Sequence, residues 1–255
     1  MAGPAVPAII LTPFTCGWMT VPVLSGLGAE PGESTVPVTA YLLEHPAGKA
    51  VFDPGPGPRC ARAAGEPRSG PVDLGEDALI DARLRAVGVD PNQISYILSS
   101  HLHSVHAGAN ALLPAASVVV QQAEWQYADA GTDTAYHAPD YDTGQPVIAV
   151  TAEYDVFRDG SVVLVPTPGH TPGHQSARVQ TSRGEVVLAG GACDTRRSLD
   201  ELRVPARSHD PGRYRRSLTW FRARQRAGAT IAFGHDPAFW ATVPQSVPWN
   251  PVPPQ

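Results

Sequence analysis

Ile94-Ser95-Tyr96-Ile97-Leu98-Ser99-Ser100-His101-Leu102-His103-Ser104-Val105-His106-Ala107-Gly108 decides how this chain is read. Its first five residues form a short apolar run that predicts a buried strand. Three imidazoles, His101, His103 and His106, follow within six residues. A strand that ends in His-x-His brings two neutral ring nitrogens to one cation at the strand tip. The third imidazole, on the turn that follows, faces a neighbouring position.

Two more histidines occupy similar junctions. His170 lies in Thr167-Pro168-Gly169-His170-Thr171-Pro172-Gly173-His174, a turn fixed by proline and glycine after an apolar run. His235 lies in Phe233-Gly234-His235-Asp236, again just past an apolar run. A lone histidine in either place is more often a structural hydrogen-bonder. The cluster of three reverses that expectation and makes His101, His103, His106, His170 and His235 the candidate metal ligands.

Short β-rich runs predict strands at 36–43, 50–53, 94–99, 117–121, 161–165, 175–180, 185–189 and 230–233. Leu79, Ile80, Leu84 and Val87 recur at helical steps and predict a helix from Glu76 to Val87. A second helix is expected from Gly212 to Arg226, and a shorter one carries Glu124, Trp125 and Tyr127. Residues 54–75 and about 131–145 read as loops, and the tail from Val252 to Gln255 reads as frayed. No internal repeat or sharp composition shift divides the chain, so residues 1–255 are expected to form one domain.

The apolar fraction of 42% and charged fraction of 17% are those of a globular protein. A net charge of -5 and the absence of a basic run exclude a nucleic-acid partner, and Lys49 is the single lysine. The run Ala8-Ile9-Ile10-Leu11 is too short to span a membrane. Cys16, Cys60 and Cys193 are odd in number and lack CxxC spacing, which favours free thiols in a cytoplasmic protein. Nothing in the sequence speaks to oligomeric state.

The pattern at 101–106 resembles the HxHxDH signature of the metallo-β-lactamase superfamily. Asp53-Pro54-Gly55 looks like that family's early Asp-Thr-Gly turn, the segment 167–174 like its third motif, and Gly234-His235-Asp236 like its last. Order and spacing fit the branch of N-acyl-homoserine lactonases over roughly residues 36 to 240. The resemblance implies an α+β fold, an αβ/βα four-layer sandwich with the metal site at one edge of two packed sheets. It implies that His101, His103 and His170 bind one metal, and that His106 and His235 belong to a second position.

Three departures alter that picture. Val105 stands where the family has a metal-binding aspartate, and Gly191 stands where it has the carboxylate that bridges two ions. Asp194 replaces a tyrosine that interacts with the reacting carbonyl or leaving oxygen. Three neutral imidazoles suffice for one zinc ion and leave a position open for water, whose pKa falls to about 7. Two cations about 3.5–4 Å apart repel strongly without a carboxylate between them. One zinc ion is therefore expected, with a second bound weakly or not at all.

Asp194 is the candidate catalytic residue. From reference acidities it is expected to be ionised at neutral pH, as a general base or a replacement ligand; a turn-capping role stays open. Cys193 offers a thiol beside it, and His174 and Asp236 are expected to orient ligand imidazoles. Tyr136, His137, Asp140, Tyr141 and Asp142 border the pocket by resemblance or form a solvated loop. Phe14, Trp18 and Met19 either wall the pocket or pack in the core. The expected activity is a mononuclear metal-dependent hydrolase of a small-molecule lactone, ester or thioester. The alternatives are a metal-supported lyase or cyclase of specialised metabolism, and a catalytically silent small-molecule binding protein on the same fold.

Overall fold

Alternation along the strands builds the layers. A strand's side chains point to opposite faces in turn, so a strand apolar on both faces must be covered on both sides. The computed structural model describes residues 6–22, 33–62, 72–75 and 77–251. Its first sheet contains β1 (Ile10–Pro22), β2 (Glu33–His45), β3 (Gly48–Phe52), β4 (Val72–Asp73), β5 (Ile94–Leu98), β6 (Ser117–Gln121) and β7 (Val147–Val150). Their spatial order is β4-β1-β2-β3-β5-β6-β7. The second sheet contains β8 (Tyr154–Asp155), β9 (Val162–Pro166), β10 (Gln175–Thr181), β11 (Gly184–Leu188) and β12 (Thr230–Ala232), in the order β12-β11-β10-β9-β8.

Tyr41, Leu43, Phe52, Leu98 and Val119 face inward and meet Leu164, Ala177, Val179, Val186 and Leu188 of the second sheet. Their sequence neighbours Leu42, Val51, Ile97 and Val118 face outward and pack under Ile80 and Leu84 of the helix α2 (Ile80–Ala86). On the far side, Val187 and Ile231 pack under Leu199, Tyr214, Leu218 and Phe221. Leu199 belongs to the helix Arg196–Glu201 and the other three to the helix Pro211–Arg226. The result is the expected α+β sandwich of four layers, helix–sheet–sheet–helix. No helix among the described residues is long and apolar enough to cross a membrane.

The remaining helices are α1 (Pro58–Arg62), α3 (Ser104–Ala107), α4 (Gln122–Asp129), α5 (Ala138–Tyr141), α6 (Arg196–Glu201), α7 (Pro211–Arg226) and α8 (Pro237–Trp240). Asp210 caps α7 by accepting from Arg213 N at 2.9 Å, with Pro211 at the first helical position, so the helix begins one residue before the sequence expectation. α2 is shorter than expected because Leu79 is extended (φ −66°, ψ 144°), and just before it Ala78 N donates to Gly75 O at 3.0 Å. Glu76 and the tail from Val252 lie outside the described residues.

β1 is the largest departure from the sequence expectation. Pro13, Gly17 and Pro22 argue against a strand, yet β1 pairs with β2 from Ile10↔Glu44 to Pro22↔Glu33. Its other neighbour, β4, meets it only at Trp18 and Met19, so Pro13 lies on an edge where a missing N–H is harmless. The Pro13 carbonyl there accepts from Ser246 N at 2.9 Å, and Leu11 O accepts from Trp249 N at 2.7 Å. The register shifts between Thr15 and Trp18 at Gly17, whose φ is +130°.

Leu164 is fully buried between the sheets. Leu164→Ala should cost about 2–5 kcal/mol of stability, read from the shift in denaturation midpoint. A change within error would mean that the two sheets do not share this core.

Candidate metal centre

Several strands deliver their ends to one place. β3 runs into Asp53, β5 into Ser100 and His101, β9 into the turn bearing His170, and β12 into His235. Because β3 and β5 are parallel neighbours, Asp53 lies beside Ser100. Asp53 adopts φ 50°, a left-handed conformation that aspartate tolerates better than most residues. Its carboxylate accepts from Ser100 N (2.7 Å), Ser100 Oγ (2.7 Å) and His106 Nδ1 (2.9 Å). Since the Ser100 proton goes to Asp53, Ser100 Oγ accepts from His101 Nδ1 at 2.9 Å. That fixes the tautomer of His101 and leaves Nε2 as a bare lone pair.

His101 Nε2 stands 3.1 Å from His103 Nδ1 and 3.2 Å from His170 Nε2. The three ligand atoms lie within 4.8 Å of one another. Nitrogens bound tetrahedrally at about 2.0–2.1 Å from zinc stand about 3.3 Å apart, so the spacing fits. Burial, then repulsion from neighbouring imidazoles, holds His101 and His170 well below the usual histidine range and His103 down at about 4. All three are neutral at neutral pH, and one divalent ion would satisfy their lone pairs together. The donor set suits the group.

The other two histidines join the same array. His106 lies 4.2 Å from His101 and 5.4 Å from His235 between ring centroids. His235 Nδ1 donates to Pro37 O at 2.9 Å, and burial pushes its pKa down to about 4. The anionic partners are gone in space as well as in sequence. Val105 packs with Met19, Val21, Val36, Val38 and Val72 in an apolar cluster. A Cβ at Gly191 would stand 2.8 Å from His170 Cδ2, 3.0 Å from His170 Nε2 and 3.2 Å from His101 Cε1. The imidazoles have closed over the place where a bridging carboxylate would begin.

Asp194 lies against the His235 turn: its carbonyl accepts from His235 N at 2.9 Å, and Gly234 N donates to Cys193 O at 3.1 Å. Burial raises its carboxyl to about 8. Without a cation it is therefore the neutral acid at neutral pH, against the expectation from reference acidity. The Cys193 thiol is buried and pushed well above its usual range, first by burial and then by Asp194, which makes it a poor nucleophile. Among the described residues, Asp236 bonds no imidazole. It caps α8 through Phe239 N (2.9 Å) and accepts from Arg196 N (2.8 Å). His174 bonds Thr167 Oγ1 at 2.9 Å, while its ring lies 5.2 Å from that of His101. Phe14 is core, Met19 joins the Val105 cluster and Trp18 faces outward.

Sequence reasoning missed Glu124. This carboxylate of α4 is fully buried, yet it touches both histidine-bearing loops and the 131–145 loop. Burial raises its pKa, opposed by hydrogen bonds from Thr171, Tyr136, Leu102 and Gly173. Its one signal was topological: β6 runs directly into α4, and β6 lies next to β5. The 131–145 loop is not simply solvated. Asp140 and Tyr141 are buried, and Tyr136 lies 4.8 Å from His103 between ring centroids.

The model of the metallo-β-lactamase superfamily matches residues 34–235. The N-acyl homoserine lactonase AttM of Azorhizobium caulinodans is 32% identical over 225 residues, covering 80% of this chain and 84% of that protein. The N-acyl homoserine lactonase AiiA of Bacillus thuringiensis subsp. kurstaki is 30% identical over 216 residues, covering 79% and 82%. A solved N-acyl homoserine lactone hydrolase, with N-hexanoyl-L-homoserine bound at its catalytic metal centre, superposes with a TM-score of 0.83. It shares 27% identity, with 92% of this chain and 96% of that one covered.

Two outcomes are expected. Gly191→Ala should weaken zinc binding in a chelator competition, because its Cβ displaces two ligand rings; an unchanged affinity would show that the rings have room to yield. In the metal-free protein, Asp194→Asn isolates the carboxyl. The unfolded chain releases that proton near 3.8 and the fold keeps it to about 8. Between those values the folded state holds the extra proton, so the parent loses stability relative to the variant as pH rises, by on the order of 1 kcal/mol per unit. A flat difference between the two denaturation curves would mean that Asp194 is ionised in the fold.

Proposed function

The chain belongs to the metallo-β-lactamase superfamily, and from that premise we propose that it is a metal-dependent hydrolase of a lactone, ester or thioester, working with one ion held by His101, His103 and His170. The observation that carries the reading is the convergence of His103 Nδ1 and His170 Nε2 on His101 Nε2, at 3.1 and 3.2 Å from it. An all-imidazole set favours zinc. When bound there, a divalent ion supplies Lewis acidity toward a carbonyl and toward water.

The chain's own residues do the rest. Asp53, acting through Ser100, holds His101 in the tautomer that presents Nε2, and the same carboxylate fixes His106. The Asp194 carboxyl, raised by burial in the metal-free protein, is the candidate to donate a proton to a leaving oxygen, the role of a general acid. Val105 and its apolar neighbours exclude water from the side where the relatives' signature has an aspartate. The lactonases among the relatives point to a cyclic ester as the first substrate to try.

Purified protein should hold about one zinc per chain and open N-hexanoyl-homoserine lactone or a related lactone. Chelation should abolish turnover and added zinc restore it. Two fully occupied ions would overturn the mononuclear site. A protein without metal would point to a silent binder, and a metal-loaded protein inert toward lactones, esters and thioesters would point away from hydrolysis.

A further inference from the structure

We propose that Glu124 is the positioning residue that sets the separation of the two ligand-bearing loops, and through it the metal affinity of the site. The proposal rests on the metal reading above. Glu124 Oε1 accepts from Leu102 N (3.1 Å) and Tyr136 Oη (2.8 Å). Its Oε2 accepts from Thr171 Oγ1 (2.7 Å) and Gly173 N (3.1 Å). Leu102 lies between the ligands His101 and His103, whereas Thr171 adjoins the ligand His170. One carboxylate therefore grips both sides of the trio, and those sides come from different sheets.

The contact is too close to be incidental. A Cβ at Gly173 would stand 2.1 Å from Glu124 N, so the His170 loop is seated directly on the first turn of α4, and only glycine fits there. Tyr136, held by the same carboxylate, sets its ring against His103, and residues 103 and 136 form a backbone bridge. Gln175 also links the sheets, through Gln175 N to Ser100 O (2.9 Å) and Nε2 to Ser99 O (2.8 Å). That link reaches the residues before the first ligand, while Glu124 acts at the level of the ligands.

The chemistry demands a carboxylate. An ionised one offers about four lone-pair sites, and here four donors fill them. Glutamine has the same shape, but each of the two oxygens faces a backbone N–H. Either orientation of the amide then points an NH2 at Leu102 N or at Gly173 N, leaving a buried donor unpaired.

The test compares the parent with Glu124→Gln, Thr171→Val and Tyr136→Phe, using zinc alone as the probe in a chelator competition. Hydrogen exchange at the Leu102 and Gly173 amides is read on the metal-free proteins. Leu164→Ala, which lies in the core between the sheets, controls for general loss of stability. Glu124→Gln should weaken zinc by about 10–100-fold and lose protection at one or both amides. The two single-donor variants should show smaller losses, and the control should bind zinc as the parent does. The same weakening in the control, or parental affinity and protection in Glu124→Gln, overturns the proposal. Should Glu124→Gln not fold, parental affinity in both single-donor variants overturns it instead. A parent that binds no zinc refutes the metal reading and with it the claim on affinity; amide protection then decides the clamp alone.

Discussion

Everything at this site depends on how protons are placed on crowded imidazoles. His101 lies 4.2 Å from His106 and 4.6 Å from both His103 and His170 between ring centroids. In so dry a cluster the charged form is costly, so burial drives His101, His103, His170 and His235 toward neutrality. A neutral ring has one proton to dispose of, and the structure supplies a dedicated acceptor for several of them. His101 gives its proton to Ser100 and His235 to Pro37 O. The opposite nitrogen of each ring is thereby kept as a possible ligand.

The positions expected to face the ions hold Val105 and Gly191, one packed among valines and the other roofed by two imidazoles. Two nearby acids, Asp53 and Glu124, are filled by hydrogen bonds from serine, histidine, tyrosine, threonine and backbone. They act on geometry instead of neutralising cations.

Fold and activity separate cleanly here. The four-layer sandwich follows from which faces of which strands are apolar, and it tolerates wide change at the strand ends. The site is set by a handful of residues at those ends, where one methyl group at position 191 would crowd the rings of His170 and His101.

The sequence by itself determined much of this. Short β-rich runs located most strands within a residue or two, and the histidine spacing located all five rings of the array, because both are local patterns. Tertiary structure alone decided the rest. β1 was hidden by Pro13 and Gly17, whose cost vanishes at an edge strand with a bulge. The protonation of Asp194 depends on burial, which reference acidity ignores. The role of Glu124 depends on partners from Leu102 to Gly173, on both sides of it in sequence and brought together only when the sheets close. Residue type and spacing fix which ligands exist. Distance, desolvation and the filling of each lone pair arise from contacts distant in sequence, and those exist only in the folded chain.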